Sequence, residues 1–357
     1  MLADLEYLVS IESPSHDLEA ITRSAGAVRD VVERRLGRHA ELIDSPAGPH
    51  VHTRFGHSSR VLLVGHHDTV FPLGALAARP FTIVDGKATG PGVFDMKAGI
   101  VLAIHALTLL DDLDGVELLI TSDEEVGSKD SRALIEERAL ACGAVLVMEP
   151  SADGGALKTA RKGTGTFEVV VHGRAAHAGL EPEKGINSLV AAAQLILRIA
   201  TFGDPETGTT VTPTVATAGT ADNVVPAMTR LRVDARVVTA GEKERVERLM
   251  STLSSDVPGA GVEVTGGLER PPMPASASER LFTVAEKAVA AKGLAPVSGV
   301  AVGGGSDGNF TAALGVPTLD GLGAVGGGAH ADHEYVLVDT MVDRARMLAA
   351  IVAELLA

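Results

Sequence analysis

Three apolar runs in this chain each end in a side chain that can bind a metal ion. Arg60-Val61-Leu62-Leu63-Val64-Gly65 gives way to His66, Val116-Glu117-Leu118-Leu119-Ile120 to Glu124-Glu125, and Ala144-Val145-Leu146-Val147-Met148 to Glu149. Imidazoles and carboxylates are the ligands of zinc centres that activate water. Short runs that are apolar almost throughout and bounded by Gly, Asp and Pro read as strands buried on both faces, as in a parallel sheet covered by helices. In such sheets ligands collect beyond the carboxyl ends of the strands, which suggests one active site at these strand ends.

The motifs around the strand ends divide the work. In Gly65-His66-His67-Asp68-Thr69-Val70, residues two apart on an extended segment point the same way. Asp68 can therefore hold the ring that His66 presents to a metal, while His67 points elsewhere. A loop without ligands is the plainer account of this motif alone. Asp95 lies in Gly90-Pro91-Gly92-Val93-Phe94-Asp95-Met96-Lys97-Ala98-Gly99, before a helix expected from Lys97 to Leu110. By itself it is an ordinary N-cap; in company, its two oxygens could bridge two cations roughly 3.5–4 Å apart.

Adjacent Glu124 and Glu125 are expected to leave an extended backbone in opposite directions, so one could bind metal while the other faces the water it activates. A solvated acidic turn is the simpler alternative. Glu149 ends a wholly apolar strand, a costly place for an unpaired carboxylate. The segment from Gly327 to Tyr335 offers one more imidazole, His330 or His333, and spacing alone does not decide between them. His-Glu-x-x-His and Cys-x-x-Cys patterns are absent, so a zinc site would be assembled from distant segments and favour carboxylates.

Two further motifs compete. Gly304-Gly305-Ser306-Asp307-Gly308 fits a nucleophile elbow after a strand expected from Val297 to Val302, with His330 downstream. A serine hydrolase of that kind would leave His66, Asp95, Glu125 and Glu149 without a role. Gly321-Leu322-Gly323-Ala324-Val325-Gly326 matches a dinucleotide fingerprint, but no helix follows, and it reads as a flexible loop.

The elements that must position these groups fall into a doubly covered α/β layer interrupted by a second pattern. A helix from Ser15, its expected N-cap, to Leu36 is followed by alternating strands and helices to about Pro150. After Arg161 come a strand from Thr164 to Val171, a helix from Lys184 to Ala200, strands from Thr210 to Ala216 and Met228 to Val238, a helix from Glu242 to Ser254, and a strand at Val262-Glu263-Val264. This β-α-β-β-α-β order is the ferredoxin-like motif. Leu231, Val233, Ala235 and Val237 alternate with Arg230, Arg232, Asp234 and Arg236, so one face of its sheet is wet or paired with a partner. Pro271-Pro272-Met273-Pro274 marks the exit. A helix from Ser278 to Lys292 and the run Gly315 to Leu319 then complete the first sheet. The expected domains are 1–161 and 272–357 for the catalytic layer and 162–271 for the insertion.

At 357 residues the chain is long enough for two domains. Aromatic residues make up 3%, Trp is absent and the formal charge is -15, which together argue against nucleic acid as a partner. Cys142 stands alone, so no intrachain disulfide forms. The acidic N-terminus is unlike a signal peptide, and no apolar run approaches the roughly 20 residues that span a bilayer. The expected setting is the cytoplasm, with no membrane association.

Together these residues resemble the M20-type co-catalytic dizinc peptidases and deacylases: glutamate carboxypeptidase, acetylornithine deacetylase, succinyl-diaminopimelate desuccinylase and aminoacylase. The resemblance spans essentially the whole chain. It rests on the His66, Gly90 to Gly99, Glu124-Glu125 and Glu149 motifs, Gly173-Arg174-Ala175-Ala176-His177-Ala178-Gly179, and the His330 segment, all in the family's order. It implies a zinc-peptidase-like catalytic domain with a central mixed, largely parallel sheet, and an inserted ferredoxin-like lid and dimerisation domain. It further implies two zinc ions per subunit, with cobalt or manganese as substitutes. One zinc would take His66 and Glu149, the other Glu125 and His330, and Asp95 would bridge them. Asp68 would orient His66, Glu124 would be the general base, and the Asp95-Met96 peptide would be cis. His330 is preferred because the family's His precedes an acidic residue and Tyr, although His333 stands where the family pattern His-x-x-Glu-Glu-Tyr has an acid.

The same resemblance gives His177 an oxyanion role across a homodimer interface, and makes Asn223 a second contact of the lid. It gives Arg236 a substrate carboxylate, with the Gly304-Gly305-Ser306 loop beside it. The implied activity is hydrolysis of an amide bond next to a free carboxylate in a small-molecule substrate, a dipeptide or an N-acyl amino acid. A deacetylase or desuccinylase is the alternative. A non-catalytic metal-binding protein of the same fold would be expected to lack a ligand or the base, and none is lost here.

Overall fold

Leu62 and Val64 belong to one buried cluster and Val61 and Leu63 to another, which is why their run is apolar without alternation. The computed structural model describes residues 1–357 and divides them into two units. The first unit comprises Met1–Ala160, Pro274–Val302 and Ser306–Ala357. Its six-stranded sheet runs in the order Glu41–Ile43, His50–Arg54, Gly115–Thr121, Ser59–His66, Val145–Val147, Thr318–Leu319. The last four strands are mutually parallel, and the first two pair antiparallel. This is the expected mixed, largely parallel sheet.

Helices cover both faces. On one, the helix Arg132–Cys142 presents Ile135, Ala139 and Cys142 to Leu62, Val64, Leu119 and Val147. On the other, Ala98–Leu107, Met341–Leu356, Glu279–Ala291 and Leu18–Leu36 join the larger cluster with Val61, Leu63, Leu118 and Leu146. Ala98–Leu107 is buried nearly all round, so it sits inside the core.

The second unit comprises Arg161–Met273 and Gly303–Gly305. Strands Gly163–His172, Thr210–Ala218, Met228–Val237 and Gly261–Arg270 and helices Ser188–Ile199 and Ala240–Ser251 follow the order β-α-β-β-α-β. The sheet is antiparallel, in the order Thr210–Ala218, Met228–Val237, Gly163–His172, Gly261–Arg270. Leu231, Val233, Ala235 and Val237 all lie in its core. Gly303–Gly305 groups with this unit because the buried Arg161 guanidinium donates to the carbonyls of Gly304 and Gly305.

Some helix starts differ from expectation. Ser15 does not cap the Leu18–Leu36 helix; Asp17 does, its carboxylate accepting from Ala20 N–H. The insertion's first helix begins only at Ser188, because Asn187 accepts from Leu189 and Val190 N–H while Pro182–Lys184 forms a separate turn. The helix after Asp95 runs from Ala98 to Leu107 rather than from Lys97 to Leu110. No helix is long and apolar enough to cross a membrane.

The N-terminal helix Leu2–Val9 is tied down by the buried Asp4, whose carboxylate meets Arg34 at 3.0 Å, Arg35 at 2.9 Å and His105 at 2.6 Å. Burial alone would raise this carboxyl, but hydrogen bonds from Arg35, His105 and Arg34 hold it well below the ordinary carboxylate range. The resulting stability is present above the ordinary value of 3.8 and is lost as pH falls through the folded value. Asp4→Asn should cost roughly 1–3 kcal/mol at neutral pH. The gap between its urea midpoint and that of wild type should narrow as the buffer is taken below pH 3.8.

Candidate active site

The parallel register sets His66 opposite Thr121, and Val64 opposite Val147. The carboxyl ends of three neighbouring strands therefore share one edge, and the segments carrying His66, Glu124, Glu125 and Glu149 all leave from it. Asp95 arrives from the turn Val93–Lys97 and His330 from the loop before the strand Tyr335–Leu337.

At that edge, His66 Nε2 lies 3.3 Å from Asp95 Oδ1 and 3.4 Å from Glu149 Oε1. His330 Nε2 lies 3.4 Å from Asp95 Oδ2 and 3.1 Å from Glu125 Oε2. One oxygen of Asp95 thus faces each imidazole. Oxygen and nitrogen ligands about 2.0–2.2 Å from a tetrahedral zinc stand about 3.3–3.6 Å from one another, close to this spacing. His66 Nε2 and Asp95 Oδ1 are buried and make no hydrogen bond, despite lying so close. Convergent donor atoms that do not bond to each other suit a cation between them. A carboxylate oxygen of Glu124 lies within 4.8 Å of ligand atoms of His66 and Glu149. Both His330 and His333 are exposed, but it is the His330 Nε2 that reaches Asp95 and Glu125, so His330 is the imidazole brought to the cluster.

The electrostatics agree. Burial would suppress the charged His66 ring, yet Asp68, Asp95 and Glu149 raise its pKa well above the ordinary value. Asp95 and Glu125 push His330 up to about 10. Burial would raise Asp95, but the His330 and His66 imidazoles hold it far below the carboxylate range, whereas burial raises Glu125. The same carboxylates that favour a charged imidazole favour a divalent cation in its place, and metal binding would compete with those protons. His330 also has φ +63°, a left-handed conformation uncommon for a side chain-bearing residue and found at functional sites.

Asp68 lies against the His66 ring and has further partners. His66 Nδ1 lies 3.0 Å from the Asp68 backbone carbonyl and 3.4 Å from its carboxylate, so the main chain accepts the ring's hydrogen bond. The carboxylate accepts from Ser15 Oγ at 2.7 Å, Glu124 N–H at 3.2 Å and Glu125 N–H at 3.1 Å. Capturing both N–H groups curls Glu124–Val126 into a single 3₁₀ turn. The two Glu side chains therefore do not leave an extended backbone in opposite directions. His67 points away, its Nε2 3.1 Å from the Pro49 carbonyl, and burial pushes it down to about 4.

The Asp95 turn is held from both ends. The buried Glu334 carboxylate accepts from Gly92, Phe94 and Asp95 N–H at 2.9, 2.8 and 2.7 Å. Buried Lys97 donates to the Ile11 carbonyl at 2.7 Å, and its burial lowers it to about 7. The Asp95-Met96 peptide is cis, as the resemblance implies. Sequence reasoning named Glu334 only as an acidic neighbour and missed Lys97 and the Ser15–Asp68 bond. A charge inside an otherwise apolar stretch was the available signal for Lys97.

Two sequence expectations are corrected here. Ser306 is fully buried and donates to Asp320 Oδ2 at 2.5 Å, so its hydroxyl serves neither as nucleophile nor as a substrate contact. The Gly321–Gly326 segment is not a flexible loop: Gly321 to Ala324 are buried, and Arg344 donates to the carbonyls of Gly321 and Gly323.

In the second unit, His177 Nδ1 accepts from Gly179 N–H at 3.1 Å and Leu180 N–H at 3.2 Å, which places the ring proton on Nε2. The Asn223 carbonyl accepts from Ala178 N–H, and the Asn223 side chain is exposed. Arg236 pairs with Asp234 at 2.9 Å.

The protein-family model described as peptidase family M20/M25/M40 matches residues 62–354. The chain belongs to this family. It is 34% identical to carboxypeptidase G2 of Pseudomonas sp. (strain RS-16), over 99% of this chain and 89% of that protein. It is 28% identical to succinyl-diaminopimelate desuccinylase of Wolinella succinogenes, over 79% of this chain and 80% of that one. The aminopeptidase PepT structure from Bacillus cereus shares its fold at a TM-score of 0.78 and 22% identity, covering 100% of this chain and 98% of that one. The protein is accordingly an M20-family hydrolase.

The close packing behind the Glu149 strand end leaves little room for change in this M20 chain. A Cβ on Gly99 would stand 2.1 Å from the Met148 carbonyl oxygen, and one on Gly323 would stand 2.3 Å from the same oxygen. Gly99→Ala should cost about 1–3 kcal/mol in urea unfolding by overpacking. Turnover should fall by more than that stability loss explains, because the strand end carrying Glu149 must shift.

Proposed function

We propose that the enzyme hydrolyses an amide bond adjacent to a free carboxylate, as a glutamate-carboxypeptidase-like peptidase or N-acyl-amino-acid hydrolase working with two zinc ions. The observation carrying this reading is Asp95, whose two oxygens face two separate imidazole–glutamate pairs. His66, Glu149 and Asp95 would hold one ion, and His330, Glu125 and Asp95 the other. When bound, the ions would polarise the scissile carbonyl and lower the pKa of the attacking water.

The chain's own residues account for the proton. Glu124 removes it from water as the oxygen adds to the carbonyl carbon, then returns it to the amide nitrogen as the C–N bond breaks. Asp68 fixes Glu124 and Glu125 through their N–H groups. His177, with Nδ1 already accepting, offers Nε2–H to the developing oxyanion, and Arg236 and Asn223 engage the substrate. We assign these lid functions to a homodimer formed through the second unit. We place the enzyme in the cytoplasm, where a chain with one cysteine needs no disulfide.

The relation to carboxypeptidase G2, together with Glu149 and Arg236, favours the carboxypeptidase reading. The desuccinylase relative keeps a deacylase as the alternative. Comparing kcat/KM on dipeptides and other N-acyl amino acids with that on N-acetylornithine and N-succinyl-diaminopimelate, by release of free amine with and without zinc, separates the two. Activity only on substrates lacking the free carboxylate would overturn the reading.

Glu124→Ala should retain its zinc by elemental analysis while kcat falls roughly 100- to 10,000-fold. Ser306→Ala should not abolish turnover, whereas complete metal removal should. Activity that survives metal removal and disappears in Ser306→Ala would restore the serine mechanism. Arg236→Ala should raise KM for carboxylate-bearing substrates more than it lowers kcat.

A further inference from the structure

Glu334 is buried, and the three hydrogen-bond partners of its carboxylate, at 2.7–2.9 Å, are backbone N–H groups rather than side chains of the cluster. All three belong to the turn that presents Asp95. Oε1 takes Phe94 and Asp95, and Oε2 takes Gly92, which is itself left-handed at φ +70°. Glu334 also closes the loop that carries His330, its own N–H donating to the Ala331 carbonyl and the Ala331 N–H to Gly328. One side chain therefore joins the two segments that supply Asp95 and His330. His66 and Glu149 arrive on strand ends fixed independently by the sheet.

We propose that Glu334 is a positioning residue that sets the spacing between Asp95 and His330, and so controls the affinity of the His330–Glu125 side of the centre for its metal ion. This rests on the two-metal reading given above. The chemistry makes the carboxylate specific. Three donors need acceptors at both oxygens, and glutamine supplies only one acceptor oxygen. Its carbonyl could serve Phe94 and Asp95, but its amide would then meet Gly92 donor to donor. The variant keeps the side chain's size while removing one anchor from the turn. Loss of a supporting partner of this kind typically weakens metal affinity roughly 10- to 100-fold.

The test is competitive zinc titration of the full-length protein, wild type and Glu334→Gln, against a chromogenic chelator, with thermal unfolding measured with and without zinc. Wild type should bind two equivalents. In Glu334→Gln one equivalent should weaken 10-fold or more while the other changes less, and the rise in Tm produced by zinc should shrink. A purely structural role would lower Tm equally with and without zinc and leave both affinities alone, which would overturn the proposal, as would equal weakening of both equivalents. Glu334→Asp keeps both acceptor oxygens on a shorter stem and serves as the second variant. Zinc affinities within twofold of wild type in both variants would also overturn it. Failure of wild type itself to bind two equivalents would instead defeat the two-metal reading, and the proposal with it.

Discussion

Crowding of like charge at one sheet edge is the constraint on which the rest of the structure depends. Asp95, Glu125 and Glu149 approach one another around two imidazoles in a largely buried setting, where unpaired carboxylates are costly. The carboxylates around His66 and His330 favour the charged form of both rings, which offsets that cost in part. The remainder must be carried by the scaffold. It supplies anchors that engage the main chain at three of the five ligands and at the base: the Asp68 carbonyl for His66, the Asp68 carboxylate for Glu125 and Glu124, and Glu334 for Asp95.

These anchors work because the layer beneath them does not yield. Apolar side chains fill both faces of the sheet, and Gly99 and Gly323 let a helix and a loop approach the Met148 carbonyl more closely than any Cβ would allow. Arg344 pins the same loop from the C-terminal helix through three backbone carbonyls, those of Gly155, Gly321 and Gly323. Its charge is satisfied by dipoles alone in these bonds.

Much of this was legible in the sequence, for reasons that can be named. Unalternating apolar runs marked strands covered on both sides, and alternation in Leu231, Val233, Ala235 and Val237 marked a sheet with one wet face. His66, Glu125 and Glu149 stood out because ligand-type side chains at buried strand ends need a reason, whereas the roles of Asp95 and His330 came from the family resemblance. What was hidden depends on main-chain partners. Asp68 serves N–H groups of a distant turn, Ser15 serves Asp68 instead of a helix, and Glu334 serves three N–H groups far away in sequence. Side-chain periodicity carries no trace of such bonds. Ser306 misled because an elbow motif describes a turn's shape and says nothing of depth, and here the hydroxyl is sealed inside.

The double-sided burial of the central strands also makes them rulers. In a strand with one wet face, a deleted residue exposes its apolar side chains and is felt at once as lost stability. Within Leu62–Val64 both faces are apolar, so a one-residue deletion would leave the hydrophobic pattern nearly intact. It would still retract His66 by roughly 3.3 Å and turn it to the opposite face of the sheet. The length of these strands is therefore held by the chemistry at their tips, and a change in chain length there would leave a folded protein with its centre out of register.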